Sequence, residues 1–182
     1  MQINYMWKRL CNWYRTKFWS YEKQARYAGV KMGNHNFIMS HFWTSEPYLI
    51  EIGSHCQLTL GCHVYTHGGG SAIRALYPDF DAFGKIKIGD YVYVGNYALI
   101  MPGVTIGNNV IIGAGSIVTK SVPSNVVVAG NPAKIICSLN EYVQRNLRYN
   151  TGSKKMGKKD KRNFLLNLNE EKFIKKTLMK ND

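Results

Sequence analysis

The chain has 182 residues, of which 45% are hydrophobic, so that it has the size of one globular domain and can bury a core. Its four scattered cysteines do not suit a disulfide scaffold, and no apolar run approaches the roughly 20 residues of a membrane span or forms a signal peptide at the charged start. We therefore expect a cytoplasmic protein. The net charge of +13 is concentrated at the two ends without a nucleic-acid-binding motif, so that we expect no nucleic-acid partner.

Residues 1–28 are predicted to form an amphipathic helix. Trp7, Leu10, Tyr14 and Phe18 recur three and four apart within a helical pattern over residues 5–28, and Gly29 is typical of a helix stop. The segment is basic and aromatic, which is the composition of a helix that lies in a membrane interface. It could bring the protein to the inner face of the membrane. The alternative is that the aromatic stripe packs on the rest of the chain or on a neighbouring subunit.

An apolar residue occupies every sixth position from Ile88 onward: Ile88, Val94, Ile100, Ile106, Ile112 and Val118. This period fits neither a helix nor the alternation of a plain strand. Each hexad supplies a short strand and a turn, and three hexads make one triangular coil whose apolar residues point inward. The register extends back through Val64, Leu58 and Ile52 to a less regular first coil. The pattern predicts a hexapeptide-repeat solenoid over residues 29–137, with Cys56 and Cys62 packed inside.

One long loop, residues 65–87, interrupts the repeat. Long loops in compact repeat domains are usually functional or disordered. After the solenoid, residues 138–182 are predicted to form a C-terminal helix and a basic tail. The helix covers Leu139 to Arg148, a flexible linker covers residues 151–162, and a last amphipathic segment covers Phe164 to Leu178.

Residues 88–136, IGDYVYVGNYALIMPGVTIGNNVIIGAGSIVTKSVPSNVVVAGNPAKII, resemble the C-terminal coils of the left-handed β-helix acyltransferases, which include galactoside, maltose, xenobiotic and capsular-polysaccharide acetyltransferases. Residues 22–38 resemble the entry to the solenoid in the polysaccharide-modifying members. The resemblance implies an all-β fold, a left-handed parallel β-helix with N-terminal and C-terminal helices and one long loop. It also implies a homotrimer with acetyl-CoA, the acyl donor, in the groove between neighbouring subunits.

The same resemblance assigns the cofactor-binding residues. The pantetheine-binding stretch of the family falls on Asn96, Ala114, Thr119 and Lys120, and the phosphate end of acetyl-CoA is expected near Lys134. Lysine side chains can meet phosphate oxygens through charge-assisted hydrogen bonds.

His67 stands where the family places its catalytic histidine. An imidazole that titrates near neutral pH can accept the proton of an attacking hydroxyl and return it to the leaving thiolate. Many relatives read Thr-His-Asp here, whereas this chain has Thr66-His67-Gly68. The group that orients His67 must come from elsewhere, and Asp79, Asp81, Glu51 and a backbone carbonyl are the candidates.

The resemblance also suggests a saccharide acceptor. Tyr93 falls where the galactoside enzymes carry a tryptophan beside the acceptor, and Arg74, Asp79 and Asp81 can hydrogen-bond sugar hydroxyls. Trp43, Tyr65, Tyr77 and Phe80 are further candidates for stacking on a sugar ring. The predicted activity is acetyl-CoA-dependent O-acetylation of a surface or capsular polysaccharide, or of its precursor, by direct transfer.

Three alternatives stay open. N-acetylation of an amino sugar needs less help from a base, because a neutral amine is already nucleophilic. A γ-carbonic-anhydrase-like enzyme would use His55, His63 and His67 as zinc ligands, although the preferred interpretation has no metal. A noncatalytic scaffold would keep the fold and bind a polymer or a membrane through its basic ends.

Overall fold

A computed structural model describes residues 2–178. The helices are α1 (Gln2–Phe18), α2 (Tyr21–Ala28), α3 (Gly70–Ile73), α4 (Leu139–Leu147) and α5 (Lys158–Leu166), with short 3-10 turns at Pro47–Leu49, Ser153–Lys155 and Glu170–Lys172. The strands are β1 (Lys31–Met32), β2 (Phe37–Ile38), β3 (Ile50–Ile52), β4 (Gln57–Leu58), β5 (His63–Val64), β6 (Ile86–Ile88), β7 (Tyr93–Val94), β8 (Leu99–Ile100), β9 (Thr105–Ile106), β10 (Ile111–Ile112), β11 (Ile117–Val118), β12 (Val126–Gly130) and β13 (Ala133–Ser138).

The helix predicted over residues 5–28 is two helices. The first ends at Phe18, and Ser20 caps the second, because its hydroxyl accepts a hydrogen bond from the Lys23 amide. Gly29 ends α2 as predicted. Its φ of 116° is in the left-handed region, and its amide donates to the Ala25 and Arg26 carbonyls.

The short strands form three sheets, which we call faces A, B and C. Face A contains β1, β3, β6 and β9; face B contains β2, β4, β7, β10, β12 and β13; face C contains β5, β8 and β11. The pairs are parallel except β12 with β13, which form an antiparallel hairpin. Ile88 pairs with Ile106 and Val94 with Ile112, a spacing of three hexads, so that each turn of the coil visits the three faces in order.

The predicted register residues are the core. The exposed fractions of Ile88, Val94, Ile100, Ile106, Ile112 and Val118 are all 2% or less. Burial of one such side chain contributes about 1.5–3 kcal/mol. Cys56 and Cys62 are each 1% exposed, which confirms core packing, and burial raises the pKa of the Cys62 thiol to about 12. Trp43 is also in this core, against Phe42, and it is therefore not a wall of a sugar site.

The interrupting loop is shorter than predicted. It runs over residues 65–85, because Ile86 already begins β6 and is buried. Most of its side chains are exposed, and it contains the single turn α3.

The chain divides into two compact units at Leu139 and Asn140. Within the second unit, the predicted helix after Leu139 is α4. The predicted flexible linker is wrong in part, since α5 begins inside it at Lys158, where Gly157 occupies the N-cap position. In the predicted segment Phe164 to Leu178, α5 includes only the start, because it ends at Leu166, and the 3-10 turn Glu170–Lys172 follows.

Candidate active site

The loops that join face C to face A stack along one edge of the solenoid, which we call the third edge. In successive coils they are residues 44–49, 65–85, 101–104 and 119–121. The Tyr65 amide donates to the Ile100 carbonyl, and the Met101 amide donates to the Val118 carbonyl, one coil further on. Since adjacent parallel strands lie about 4.8 Å apart, residues far apart in sequence become neighbours at this edge.

His67 and Glu46 meet at the third edge. His67 Nδ1 lies 2.7 Å from Glu46 Oε2, and the two side chains are 36% and 15% exposed. An ionised carboxylate can only accept a hydrogen bond, so that Nδ1 carries a proton, and in the neutral imidazole Nε2 then has the lone pair. The half-exposed imidazole can therefore accept a proton through Nε2.

Two hydroxyl groups support this pair. Thr66, whose side chain is buried, donates from Oγ1 to Glu46 Oε2 at 2.7 Å. Thr44 Oγ1 lies 3.0 Å from Thr66 Oγ1, and because the Thr66 proton is used on Glu46, Thr44 is the donor. Hydrogen bonds from Thr66 first, then from Ser45 and His67, hold the pKa of Glu46 below its ordinary value, although burial acts in the opposite direction.

The orienting carboxylate is thus one that the sequence analysis did not consider. Glu51 lies 3.4 Å from Lys31, Asp81 lies 3.4 Å from Arg74, and Asp79 is an exposed loop residue. Glu46 replaces all of them as the partner of His67, 21 positions upstream.

Phe83 is a second residue that sequence reasoning missed. Its backbone forms an antiparallel bridge with His67, and the two ring centroids lie 5.3 Å apart. Phe83 is 51% exposed, so that a partly exposed apolar ring borders the imidazole. Gly84 returns the loop to the coil through a 2.7 Å hydrogen bond from its amide to the Thr66 carbonyl.

Three of the predicted cofactor residues share a groove at the third edge. The groove has a volume of about 390 Å³ and is lined by residues 118–123, Val128 and residues 132–135. Thr119, Lys120 and Lys134 line it. Its lining is mostly apolar, with the two lysines as the cations.

The other two cofactor residues lie elsewhere. Asn96 and Ala114 are exposed at the edge between faces B and C, where the Gly115 amide donates to the Asn96 carbonyl one coil away. Tyr93 is on the outer side of β7 in face B, 40% exposed. Within one chain these three residues do not join the His67 site.

The remaining acceptor candidates are in or next to the interrupting loop. Arg74 Nε donates to the Phe80 carbonyl at 3.0 Å, so that Arg74 and Asp81 close the loop on itself. Tyr77 is exposed, whereas Tyr65 and Phe80 are half-buried.

The histidines of the zinc alternative do not converge. The His55 ring is stacked between His35 and Tyr91, with centroid separations of 4.9 and 4.7 Å, at the edge between faces A and B. His63 is on face C and His67 on the third edge. Over residues 2–178, no group of three or more His, Cys, Asp or Glu side chains is arranged to hold a metal ion. The described residues of a single chain therefore do not by themselves assemble a zinc site.

Comparisons with known proteins agree with this fold and with its repeat. The family model for bacterial transferase hexapeptide (six repeats) matches residues 85–120. Protein CapG of Staphylococcus aureus is 46% identical over 150 residues, which are 80% of this chain and 87% of CapG. The chain belongs to the hexapeptide-repeat acyltransferase family. It is therefore an acyltransferase, as the sequence analysis predicted.

Solved structures of the family overlap with part of the chain. A maltose O-acetyltransferase from Clostridium difficile 630 has a TM-score of 0.54 and 32% identity, covering 60% of this chain and 59% of that protein. A hexapeptide-repeat-containing acetyltransferase from Vibrio cholerae O1 biovar eltor, complexed with acetyl coenzyme A, has a TM-score of 0.52 and 28% identity, covering 61% of each chain. The similarity thus spans about three fifths of either structure.

Proposed function

We propose that the protein is an acetyl-CoA-dependent O-acetyltransferase that acts on a hydroxyl of a saccharide, in a surface or capsular polysaccharide or its precursor. The observation that carries the proposal is the 2.7 Å pair of His67 and Glu46, which supplies a base suited to a hydroxyl nucleophile. The names of the relatives support the class: one is a maltose O-acetyltransferase, and one was solved with acetyl coenzyme A.

In this mechanism His67 moves one proton. Nε2 accepts the proton of the acceptor hydroxyl as the oxygen attacks, and it delivers a proton to the sulfur leaving group when transfer is complete. Glu46, held ionised by Thr66, keeps the proton on Nδ1 and stabilises the imidazolium between the two steps. An amine acceptor would need this assistance less, which favours O-acetylation over N-acetylation.

The groove at the third edge fits the donor. Bound acetyl-CoA supplies an activated acetyl thioester. The apolar lining of the groove suits the pantetheine arm, and Lys120 and Lys134 can bind phosphate oxygens. Thr119 lies on the edge that carries His67, two coils away.

The acceptor would rest beside His67. Phe83 offers a partly exposed ring on which a sugar can stack, and Tyr77 is a further exposed ring in the same loop. Asp79 and the Arg74–Asp81 pair are polar groups of this loop that sugar hydroxyls can reach.

We also assign to the chain the left-handed coil and the homotrimer of its family. A trimer would place Tyr93, Asn96 and Ala114 of one subunit near the third edge of the next, which accounts for their separation from His67 in a single chain. Light scattering is expected to give three times the 20.7 kDa of one chain. We place the protein in the cytoplasm, in keeping with its four free cysteines.

The experiment is an acetyl-CoA thiol-release assay over a panel of sugars, amino sugars and oligosaccharides. A saccharide that accelerates thiol release, and that gains an alkali-labile ester, supports O-acetylation. Acetylation of amino sugars alone, with a stable amide product, would overturn it. In the same assay, His67→Ala removes the proposed base and should slow thiol release. The control is His35→Asn, which removes an imidazole at a distant edge and keeps a residue that tolerates the φ of 60° there.

A further inference from the structure

Helix α1 presents an uncovered apolar face. Trp7, Leu10, Tyr14 and Phe18 recur at helical spacing on one side of the helix, and their exposed fractions lie between 53% and 65%. Met6 and Trp13 widen this face and are also more than half exposed. Asn12 and Thr16 belong to the opposite, polar side. Six large apolar side chains on one helix exceed what a solvated surface normally shows.

The charge of this segment is of one sign. Residues 1–21 contain four lysines and arginines and no aspartate or glutamate, whereas the solenoid that follows is nearly balanced. Arg15 and Lys17 are in the last turn of α1, and Lys23 Nζ is stacked over the Trp19 ring at 4.3 Å in the next helix. A positive, aromatic and amphipathic helix is typical of a segment that lies in the interface of an anionic bilayer.

We propose that α1 binds the surface of a membrane that contains anionic phospholipids, with its apolar face among the acyl chains and its basic side chains among the phosphates. The positive charge favours an anionic membrane over a second copy of the chain as the partner. An identical helix would bring the same positive charge to the contact, and the two would repel each other. Trp and Tyr rings favour the boundary between headgroups and acyl chains. Helix α1 is 17 residues long, about 25 Å, and would lie in the plane of the interface. Within residues 2–178, no helix is both long and apolar enough to cross a membrane.

The shape of the segment is consistent with insertion. Trp7, Leu10 and Tyr14 line, together with Trp13 and Trp19, a hollow of about 460 Å³ that opens to solvent. Arg15 lies at the border of this hollow, with its guanidinium 4.1 Å from the centroid of the Tyr27 ring. A phospholipid whose acyl chain entered the hollow would thus meet the Arg15 cation at the border, where its phosphate could pair with it.

The test is flotation of the purified full chain with vesicles of phosphatidylcholine, with and without phosphatidylglycerol. Binding is expected on the anionic vesicles, to weaken by about tenfold or more without phosphatidylglycerol, and to fall as salt rises. Leu10→Glu and Phe18→Glu are expected to reduce the bound fraction by about tenfold. Asn12→Glu and Thr16→Glu change the net charge equally on the polar side and should reduce it far less.

Equal loss in the Leu10→Glu and Asn12→Glu variants would show that the apolar face does not insert, provided that circular dichroism shows both variants folded. Absence of vesicle binding by the wild-type chain, with a change of oligomeric state in Leu10→Glu, would assign the face to a second copy and overturn the proposal.

Discussion

Glu46 Oε2 lies 2.7 Å from His67 Nδ1, although the two residues are 21 positions apart in the chain. The solenoid brings them together because the loops of successive coils stack at one edge. Glu46 is thus the carboxylate partner of His67, whereas the next residue along the chain, Gly68, has no side chain to offer. Thr66 donates a hydrogen bond to the Glu46 carboxylate, and Thr44 in turn is hydrogen-bonded to Thr66. These contacts hold the carboxylate in position before any substrate binds.

Glu46 is expected to stabilise the folded protein in a way that is lost in acid. Hydrogen bonds hold the pKa of its folded-state carboxyl below the ordinary value of 4.5, so that folding favours the ionised form. This stabilisation is complete above the ordinary pKa and is lost as the pH falls through the lower folded-state pKa. Urea unfolding at stepped pH should show a stability gap between wild type and Glu46→Gln that is largest near neutrality and shrinks below pH 4.5. A gap that is constant with pH would contradict this. Glu51→Gln, from an exposed ion pair, is the control and should change stability little.

Phe83 predicts a specific effect on the acceptor. Phe83→Ala removes the ring beside His67. Because one stacking contact with the sugar is lost, the KM for the saccharide should rise about fivefold to tenfold, with a small change in the KM for acetyl-CoA. Steady-state kinetics with each substrate varied in turn measures both. Leu76→Ala, which removes an 81% exposed side chain from the same loop, is the control. Equal effects of the two substitutions would remove Phe83 from the acceptor site.

The two groove lysines predict a specific effect on the donor. Lys120→Gln and Lys134→Gln should each raise the KM for acetyl-CoA by about tenfold or more, because each removes one charge-assisted hydrogen bond to a phosphate. Both should leave kcat nearly unchanged. Lys87→Gln on the outer side of face A is the matched control and should have no effect. An unchanged KM in both groove variants would separate the groove from the donor.

The backbone at Gly84 leaves no room for a side chain, which constrains the loop. A Cβ at this position would collide with the backbone of Gly103, so that Gly84→Ala must displace the point where the loop returns to the coil. We expect a loss of about 1–3 kcal/mol in the free energy of unfolding, together with reduced activity. A Cβ on Gly68 would meet no atom within 4 Å among the described residues, so that Gly68→Ala should be neutral. Equal stability of the two variants in urea unfolding would show that the collision is relieved without cost.

The sequence predicted the coil well because its period is local. Each inward residue follows the last at a fixed spacing, and the buried side chains from Ile88 to Val118 match that register. Cys56 and Cys62 were placed in the core by the same spacing. The break between α1 and α2 was missed, because the aromatic pattern continues through Ser20, where the side chain caps a new helix instead.

The site was only partly predictable, because it depends on contacts between coils. The first coil is irregular: Trp43 pairs with Val64, yet it follows Ile38 by five residues, whereas Val64 follows Leu58 by six. The hexad register therefore does not align Glu46 with His67. For the same reason the register does not place Trp43 in the core, and the sequence leaves it as a candidate for sugar stacking. Phe83 was missed because its contact with His67 depends on how the interrupting loop returns.

The most direct test of the central claim is a double-mutant cycle on kcat with His67→Ala, Glu46→Gln and the double variant. His67→Ala should lower kcat by about 10²–10⁴-fold, the range of a general base, and Glu46→Gln by about 10–100-fold. If Glu46 acts through His67, the double variant should be no slower than His67→Ala alone. A wild-type rate in His67→Ala, or effects that multiply in the double variant, would contradict a base oriented by Glu46.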